Sequence, residues 1–202
     1  MNQMNQLLNS KKILVGVSGS IAVAGIFQYL AILKANFSEV KVIMTKSAIK
    51  LIPAETVKLY CNEVFIDEEL TLSGKPGHVE LARWADLLMV LPATGNTISK
   101  VAHGLADDLL STVILAHDKP VLFFPNMNKL MWEKKVVQNN VKLLKEYDHI
   151  VIPPLKTTAF EIATMSLKPN YVLPNNQEVL HILFKEFEKR KSVTVHETVE
   201  MH

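Results

Sequence analysis

Short, unbroken apolar runs alternate along this chain with longer segments of mixed character. Lys12–Val17 (KILVGV), Val40–Met44 (VKVIM), Leu87–Ala93 (LLMVLPA), Val121–Phe124 and the HIVIPP stretch have the continuous hydrophobicity of strands buried on both faces. VFID predicts a short edge strand. Between the runs lie helical patterns: SGSIA and an apolar helix to about Ala35, SAIKLI, Ala54–Cys61 behind Pro53, HVELARWA, Asn96–His103, Asp108–His117 and a long amphipathic helix over Lys129–Tyr147. Gln177–Lys191 predicts a closing amphipathic helix with a charged end. Glu68–Gly77, with Gly74, Pro76 and Gly77, reads as a loop. Strands alternating with helices predict an α/β protein: a doubly wound parallel sheet in a Rossmann-like or flavodoxin-like three-layer sandwich. In such sheets ligands sit outside the carboxyl ends of the strands, so the residues that follow each strand carry the functional reading.

Composition narrows the classes. A length of 202 residues with 49% hydrophobic and 21% charged residues suits one domain, expected over residues 1–190, with a polar, disordered tail over 191–202. A formal net charge of +2 from 22 basic and 20 acidic residues leaves no basic stripe, so no nucleic-acid partner is expected. No apolar run approaches the roughly 20 residues of a membrane span, and the polar start MNQMNQLLNSKK lacks the apolar core of a signal peptide. A cytoplasmic protein without membrane contact is the expectation. Cys61 is the sole cysteine, which rules out an internal disulfide and a cysteine-based metal cluster and fits a reducing compartment; no metal site is predicted.

Four loops at the predicted sheet rim carry small or polar residues. Behind the first strand, Gly16-Val17-Ser18-Gly19-Ser20-Ile21 could present backbone N–H groups to a phosphate; equally, it could be only a tight strand-to-helix turn. Thr45 and Ser47 add hydroxyls after the second strand, where helix caps are the simpler reading. After Leu87–Ala93 come Thr94, Gly95, Asn96 and Thr97, and after Val121–Phe124 come Pro125, Asn126, Met127 and Asn128. An amide both donates and accepts, so it can read a heterocycle edge or hold a carboxylate without adding charge. Capping accounts well for Asn96. It accounts poorly for Asn126 and Asn128 together, because one helix start needs one cap.

PATGNTISKVAHGLADDLL and FPNMNKLMW resemble the two signature segments of the homo-oligomeric flavin-containing cysteine decarboxylases, of the forms P-A-S/T-x-N-T and P-x-M-N-x-x-M-W. From about Lys11 to Asn170 the chain resembles the lantibiotic branch, the epidermin-type and mersacidin-type peptidyl-cysteine decarboxylases. LIPAETV, HVELARWAD and AFEIATMSLKPN bring it nearer the mersacidin type. The resemblance implies catalytic roles for His78 and Asn128. It implies flavin contacts from Gly19, Ser20, Ile21, Thr45, Ser47, Thr94, Gly95, Asn96, Thr97 and the main chain of Asn126. A C-terminal flap, with Phe160, Glu161, Ile162, Ala163 and Thr164 as its recognition face and Lys168–Asn170 as its turn, would hold the peptide. Met131 and Trp132 read as packing. Gly95 stands where the family usually has alanine.

The activity so implied is oxidative decarboxylation of a precursor peptide ending in cysteine. Hydride loss from the sulfur-bearing carbon gives a thioaldehyde, whose C=S takes up the electrons released with carbon dioxide and leaves an enethiol. His78 would transfer the proton, since imidazole titrates near about 6.5 and a thiol near about 8.5. Asn128 would hold the carboxylate through a neutral amide, because a full positive charge would stabilise the group that must leave. The cofactor is a flavin nucleotide, FAD or FMN, with FAD favoured by the mersacidin-type resemblance. The family's assemblies imply a trimer built into a dodecamer. Phosphopantothenoylcysteine decarboxylases share both signatures but add a flap cysteine that helps reduce the enethiol; PLKTTAFEIATMSLKPN has none. A non-catalytic flavin-binding regulatory subunit is the other alternative, though relatives of that kind carry acidic tails. A flavin prenyltransferase is disfavoured by PNMN and His78.

Overall fold

A computed structural model describes residues 3–66, 77–161 and 164–199. The loop expected at Glu68–Gly77 lies, apart from Gly77, outside the described residues, as do Ile162, Ala163 and positions 200–202. The central sheet has six strands: β1 (Lys12–Val17), β2 (Glu39–Met44), β3 (Glu63–Ile66), β4 (Leu87–Ala93), β5 (Leu122–Pro125) and β6 (Ile150–Val151). They are ordered β3-β2-β1-β4-β5-β6 and all neighbours pair in parallel. This order places a topological switch point between β1 and β4, where successive connections run in opposite directions and a crevice opens beyond the strand ends.

Side-chain alternation along each strand divides the core in two. Ile13, Val15 and Val17 face one layer with Met89, Leu91 and Phe124, covered by α2 (Ile26–Asn36) and α10 (Asn176–Val199). Leu14, Leu88, Val90 and Phe123 face the other, covered by α5 (His78–Trp84), α6 (Gly95–Ala102), α7 (Leu109–Ala116) and α9 (Lys135–Glu146). Both faces are therefore dry, which is why these strands read as continuous apolar runs.

Several elements depart from the sequence expectation. The start of the chain forms a helix, α1 (Gln3–Leu8), whose Leu8 is fully buried. The segment after Ser20 is a 3₁₀ turn over Ile21–Gly25 before α2 begins. The long helix over Lys129–Tyr147 is broken into α8 (Lys129–Trp132) and α9, because Lys134 adopts an extended backbone (φ −66°, ψ 134°). Trp132 turns into the second core at that break, and Gln138 Nε2 donates to its carbonyl at 2.6 Å. The closing helix runs past Lys191 to Val199, into the segment expected to be a disordered tail. Two shorter helices, α3 (Lys46–Ile49) and α4 (Ala54–Lys58), complete the layers.

The flap is an antiparallel hairpin of β7 (Leu155–Glu161) and β8 (Ser166–Val172), with Leu155 opposite Val172 and Glu161 opposite Ser166. Lys168–Asn170 is thus not the turn but the middle of β8, opposite Thr157–Ala159. Just before β8, Met165 takes a left-handed backbone (φ 49°). No described helix is long and apolar enough to cross a membrane.

Candidate functional site

The loops at the switch point are tied together by side-chain oxygens. The Ser18 hydroxyl donates to the Pro92 carbonyl at 2.8 Å and accepts from the Thr94 N–H at 2.9 Å. The Ser20 hydroxyl donates to Asn126 Oδ1 at 2.5 Å, and the Asn126 N–H donates to the Ala93 carbonyl at 2.9 Å. Loops after β1, β4 and β5 therefore form one floor. Gly19 lies against the loop after β2: a Cβ there would come within 2.9 Å of the Ser47 carbonyl carbon, so glycine is required by the close approach. The expected row of bare N–H groups in this turn is only partly present, since Ser18 N–H donates to Pro92 O and Ser20 N–H to Ser18 O.

Above this floor opens a cleft of about 1190 Å³, larger than the roughly 300–1,000 Å³ of ordinary small-molecule sites. Gly19, Ser20, Ile21, Thr45, Ser47, Thr94, Gly95, Asn96, Thr97, Asn126, Asn128, Phe160 and Glu161 all line it. Two caps are assigned by the geometry. Thr94 caps α6, its hydroxyl accepting from the Thr97 N–H at 3.3 Å, so Asn96 is not needed as a cap and lies exposed on the cleft wall. Asn128 caps α8, its Oδ1 accepting from the Leu130 N–H at 2.8 Å. That bond turns Asn128 Nδ2 into the cleft, where it donates to Glu161 Oε1 at 2.8 Å.

The donor set fits a flavin nucleotide. Hydroxyls of Thr45, Ser47, Thr94 and Thr97 line one part of the cleft. Ile21, Met131 and Phe160, 61%, 51% and 54% exposed, line it as apolar surfaces suited to a flat ring. The Asn126 N–H is already bonded within the protein, to the Ala93 carbonyl. Met131, expected in the core with Trp132, faces the cleft instead. Among the described residues no group of three or more His, Cys, Asp or Glu side chains could hold a metal.

His78 is placed differently. It opens α5, exposed, beside a Gly77 N–H that donates to Glu80 Oε2 at 2.8 Å, and is not among the residues lining the cleft. The helix buries Leu81 and Ala82 in the second core. Because α5 leads into β4, its first residue lies towards the rim where the strands end. His78 therefore sits apart from the lining that carries Asn128.

Sequence reasoning missed a charged corner of the cleft. Lys100 Nζ sits 2.7 Å from both Asp107 Oδ1 and Asp108 Oδ2. Burial works against the Asp108 charge, but Lys100 and the Ser111 donors outweigh it and lower the carboxyl pKa. The signal was present, since all three residues lie within PATGNTISKVAHGLADDLL. Cys61 is half-buried against the first core, and burial pushes its thiol up to about 11. It does not line the cleft.

Comparison with known proteins agrees with this geometry. A family model described as Flavoprotein matches residues 1–173. Mersacidin decarboxylase of Bacillus sp. (strain HIL-Y85/54728) is 44% identical over 184 residues, covering 91% of this chain and 94% of that protein. Epidermin decarboxylase of Staphylococcus epidermidis is 35% identical over 179 residues, covering 89% and 97%. Among solved structures, MrsD from Bacillus sp. HIL-Y85/54728 superposes with a TM-score of 0.79 at 40% identity, covering 90% of this chain and 98% of that one. An EpiD variant complexed with the substrate peptide DSYTC superposes at 0.80 with 33% identity, covering 85% and 97%. The chain belongs to the flavoprotein family, in its branch of lantibiotic peptidyl-cysteine decarboxylases.

Proposed function

We propose that this protein oxidatively decarboxylates the C-terminal cysteine of a lantibiotic precursor peptide, giving the enethiol from which an aminovinyl-cysteine ring is built. The observation that carries the reading is the Asn128 amide: its oxygen is fixed by the helix cap and its N–H group already holds a carboxylate inside the cleft. The peptide's terminal carboxylate is the natural ligand for that donor. A neutral amide orients the carboxylate without the charge that would hold it in place during its loss. The flavin, when bound, supplies the two-electron oxidation at the sulfur-bearing carbon. Gly19, Ser20, Ile21, Thr45, Ser47, Thr94–Thr97 and the main chain of Asn126 would hold it. Likeness to the mersacidin type favours FAD over FMN.

His78 is the group we assign to proton transfer with the thiol, since an imidazole ring can both take up and release a proton. Its position outside its own chain's cleft supports a site completed by a second copy. Leu59, Leu130 and Val136, 80%, 71% and 63% exposed, are large apolar side chains of the kind an interface covers. We infer a trimer, further assembled to a dodecamer. The absence of cysteine from the described hairpin residues supports release of the enethiol without further reduction. A single half-buried thiol fits a cytoplasmic setting.

The test is turnover of a synthetic cysteine-ending peptide by wild type and His78→Asn, each with its flavin content read from the visible spectrum and the released chromophore identified by mass. A yellow variant without turnover is expected. Full activity in His78→Asn would remove the base from the assignment, and a colourless wild type that takes up neither flavin would remove the reading.

A further inference from the structure

Glu161 divides its carboxylate between two bodies. Its Oε2 stays within the hairpin, accepting from the Thr164 hydroxyl at 2.8 Å and lying 3.8 Å from Lys168 Nζ. Its Oε1 reaches out of the hairpin to Asn128 Nδ2 at 2.8 Å. Asn128 cannot rotate to offer its oxygen, because Oδ1 is engaged by the Leu130 N–H at 2.8 Å. The Asn128 amide therefore offers the cleft its N–H group, which a carboxylate oxygen complements as acceptor, and the chain supplies one of its own. The Glu161 side chain is 18% exposed and lines the same cleft as Asn128 and Phe160.

We propose that Glu161 is an internal stand-in for the substrate: its carboxylate occupies the donor that receives the peptide's terminal carboxylate and sets peptide affinity by competing for it. The proposal rests on the role given to Asn128 above. Displacement is cheap by construction. When a peptide carboxylate takes Asn128 Nδ2, Glu161 keeps Thr164 and Lys168, so a single hydrogen bond is exchanged for another of the same kind. Lys168 also offsets the repulsion between the displaced and incoming carboxylates. A brace that merely pinned the hairpin would place its partners between the two bodies; here two of the three lie on the hairpin itself.

The test uses the flavin-loaded protein and a synthetic pentapeptide ending in serine, which keeps the terminal carboxylate but cannot be oxidised as a thiol. Calorimetric titration of wild type, Glu161→Ala and Glu133→Ala gives the dissociation constants. Glu161→Ala is expected to bind the peptide about five- to tenfold more tightly, the worth of the competing hydrogen bond. Glu133→Ala, which loosens the hairpin by removing the acceptor of the Tyr171 hydroxyl at 3.2 Å but leaves the Asn128 contact, is expected to match wild type. Unchanged or weaker binding by Glu161→Ala, equal tightening by Glu133→Ala, or no binding by any of the three proteins would overturn the proposal. Cysteine-ending peptide followed by mass separates the two claims: tightening in Glu161→Ala without decarboxylation by wild type sinks the enzymatic reading and leaves the competition standing.

Discussion

The Ser20 hydroxyl donates to Asn126 Oδ1 at 2.5 Å across 106 positions of sequence. It joins the loop after β1 to the loop after β5, with β4 lying between them in the sheet. Asn126 is held a second time by its N–H to the Ala93 carbonyl, so the cleft floor is built from three separate strand ends. Ser20→Ala leaves Asn126 Oδ1 without this donor and is expected to cost about 1–2 kcal/mol in stability. Flavin retention should fall with it. The ratio of visible to ultraviolet absorbance after dialysis, together with a urea melt, checks both; undiminished flavin content in Ser20→Ala would show that the floor does not depend on this bond.

Gly95 is the first residue of α6 and faces Met127 and Met131. A Cβ placed there meets Met127 Sδ at 3.5 Å and Met131 Cε at 3.9 Å, which are ordinary contacts. The departure from the family's alanine is therefore not forced by space. Gly95→Ala should raise stability by about 0.4–1 kcal/mol, chiefly by restricting the unfolded chain. A thermal melt reads the change, and destabilisation would mean that the turn needs glycine's freedom.

His117 and His149 lie beside one another on the side of the sheet remote from the cleft. Burial lowers the pKa of both, against the smaller opposing effects of the Ala82 hydrogen bond and Asp118 at His117 and of Asp148 at His149. His117 Nδ1 is 2.8 Å from the Ala82 carbonyl, its Nε2 is buried without a partner, and His149 Nδ1 accepts from the Val121 N–H at 3.2 Å. A neutral ring suits both places. In the unfolded chain each protonates near about pH 6.5, so below that value the unfolded state binds more protons and stability falls as pH falls. Above it the contribution is complete. The melting temperature is expected to drop between about pH 7 and pH 5.5, less steeply in His117→Leu; an equal slope in both proteins would exclude His117 as a source.

The fold was legible where burial is two-sided. Lys12–Val17 and Leu87–Ala93 agree residue for residue with the observed strands, because a strand dry on both faces leaves an unbroken apolar run. The rim loops followed from the same rule, and every described residue expected to contact flavin lines one cleft. The hairpin was less legible. LKTTAFE is largely exposed along its length, so no alternation marks it as a strand, and the turn was misplaced to Lys168–Asn170. The helix break before Lys135 escaped notice because the periodicity continues across it, while the burial of Trp132 decides it. Met131 and His78 were named from motifs, but which surface each faces depends on how α8 and α5 pack.

The central claim is tested most directly by the mass of a cysteine-ending peptide after incubation with the flavin-loaded protein in air, with Asn128→Asp as control. Aspartate can still cap α8 but sets a carboxylate where the donor stood, so flavin is expected to stay bound while kcat/KM falls about 10- to 100-fold or more. The wild type should convert the peptide to a product lighter by carbon dioxide and two hydrogens, the enethiol. An unchanged peptide, or loss of carbon dioxide alone, would contradict oxidative decarboxylation.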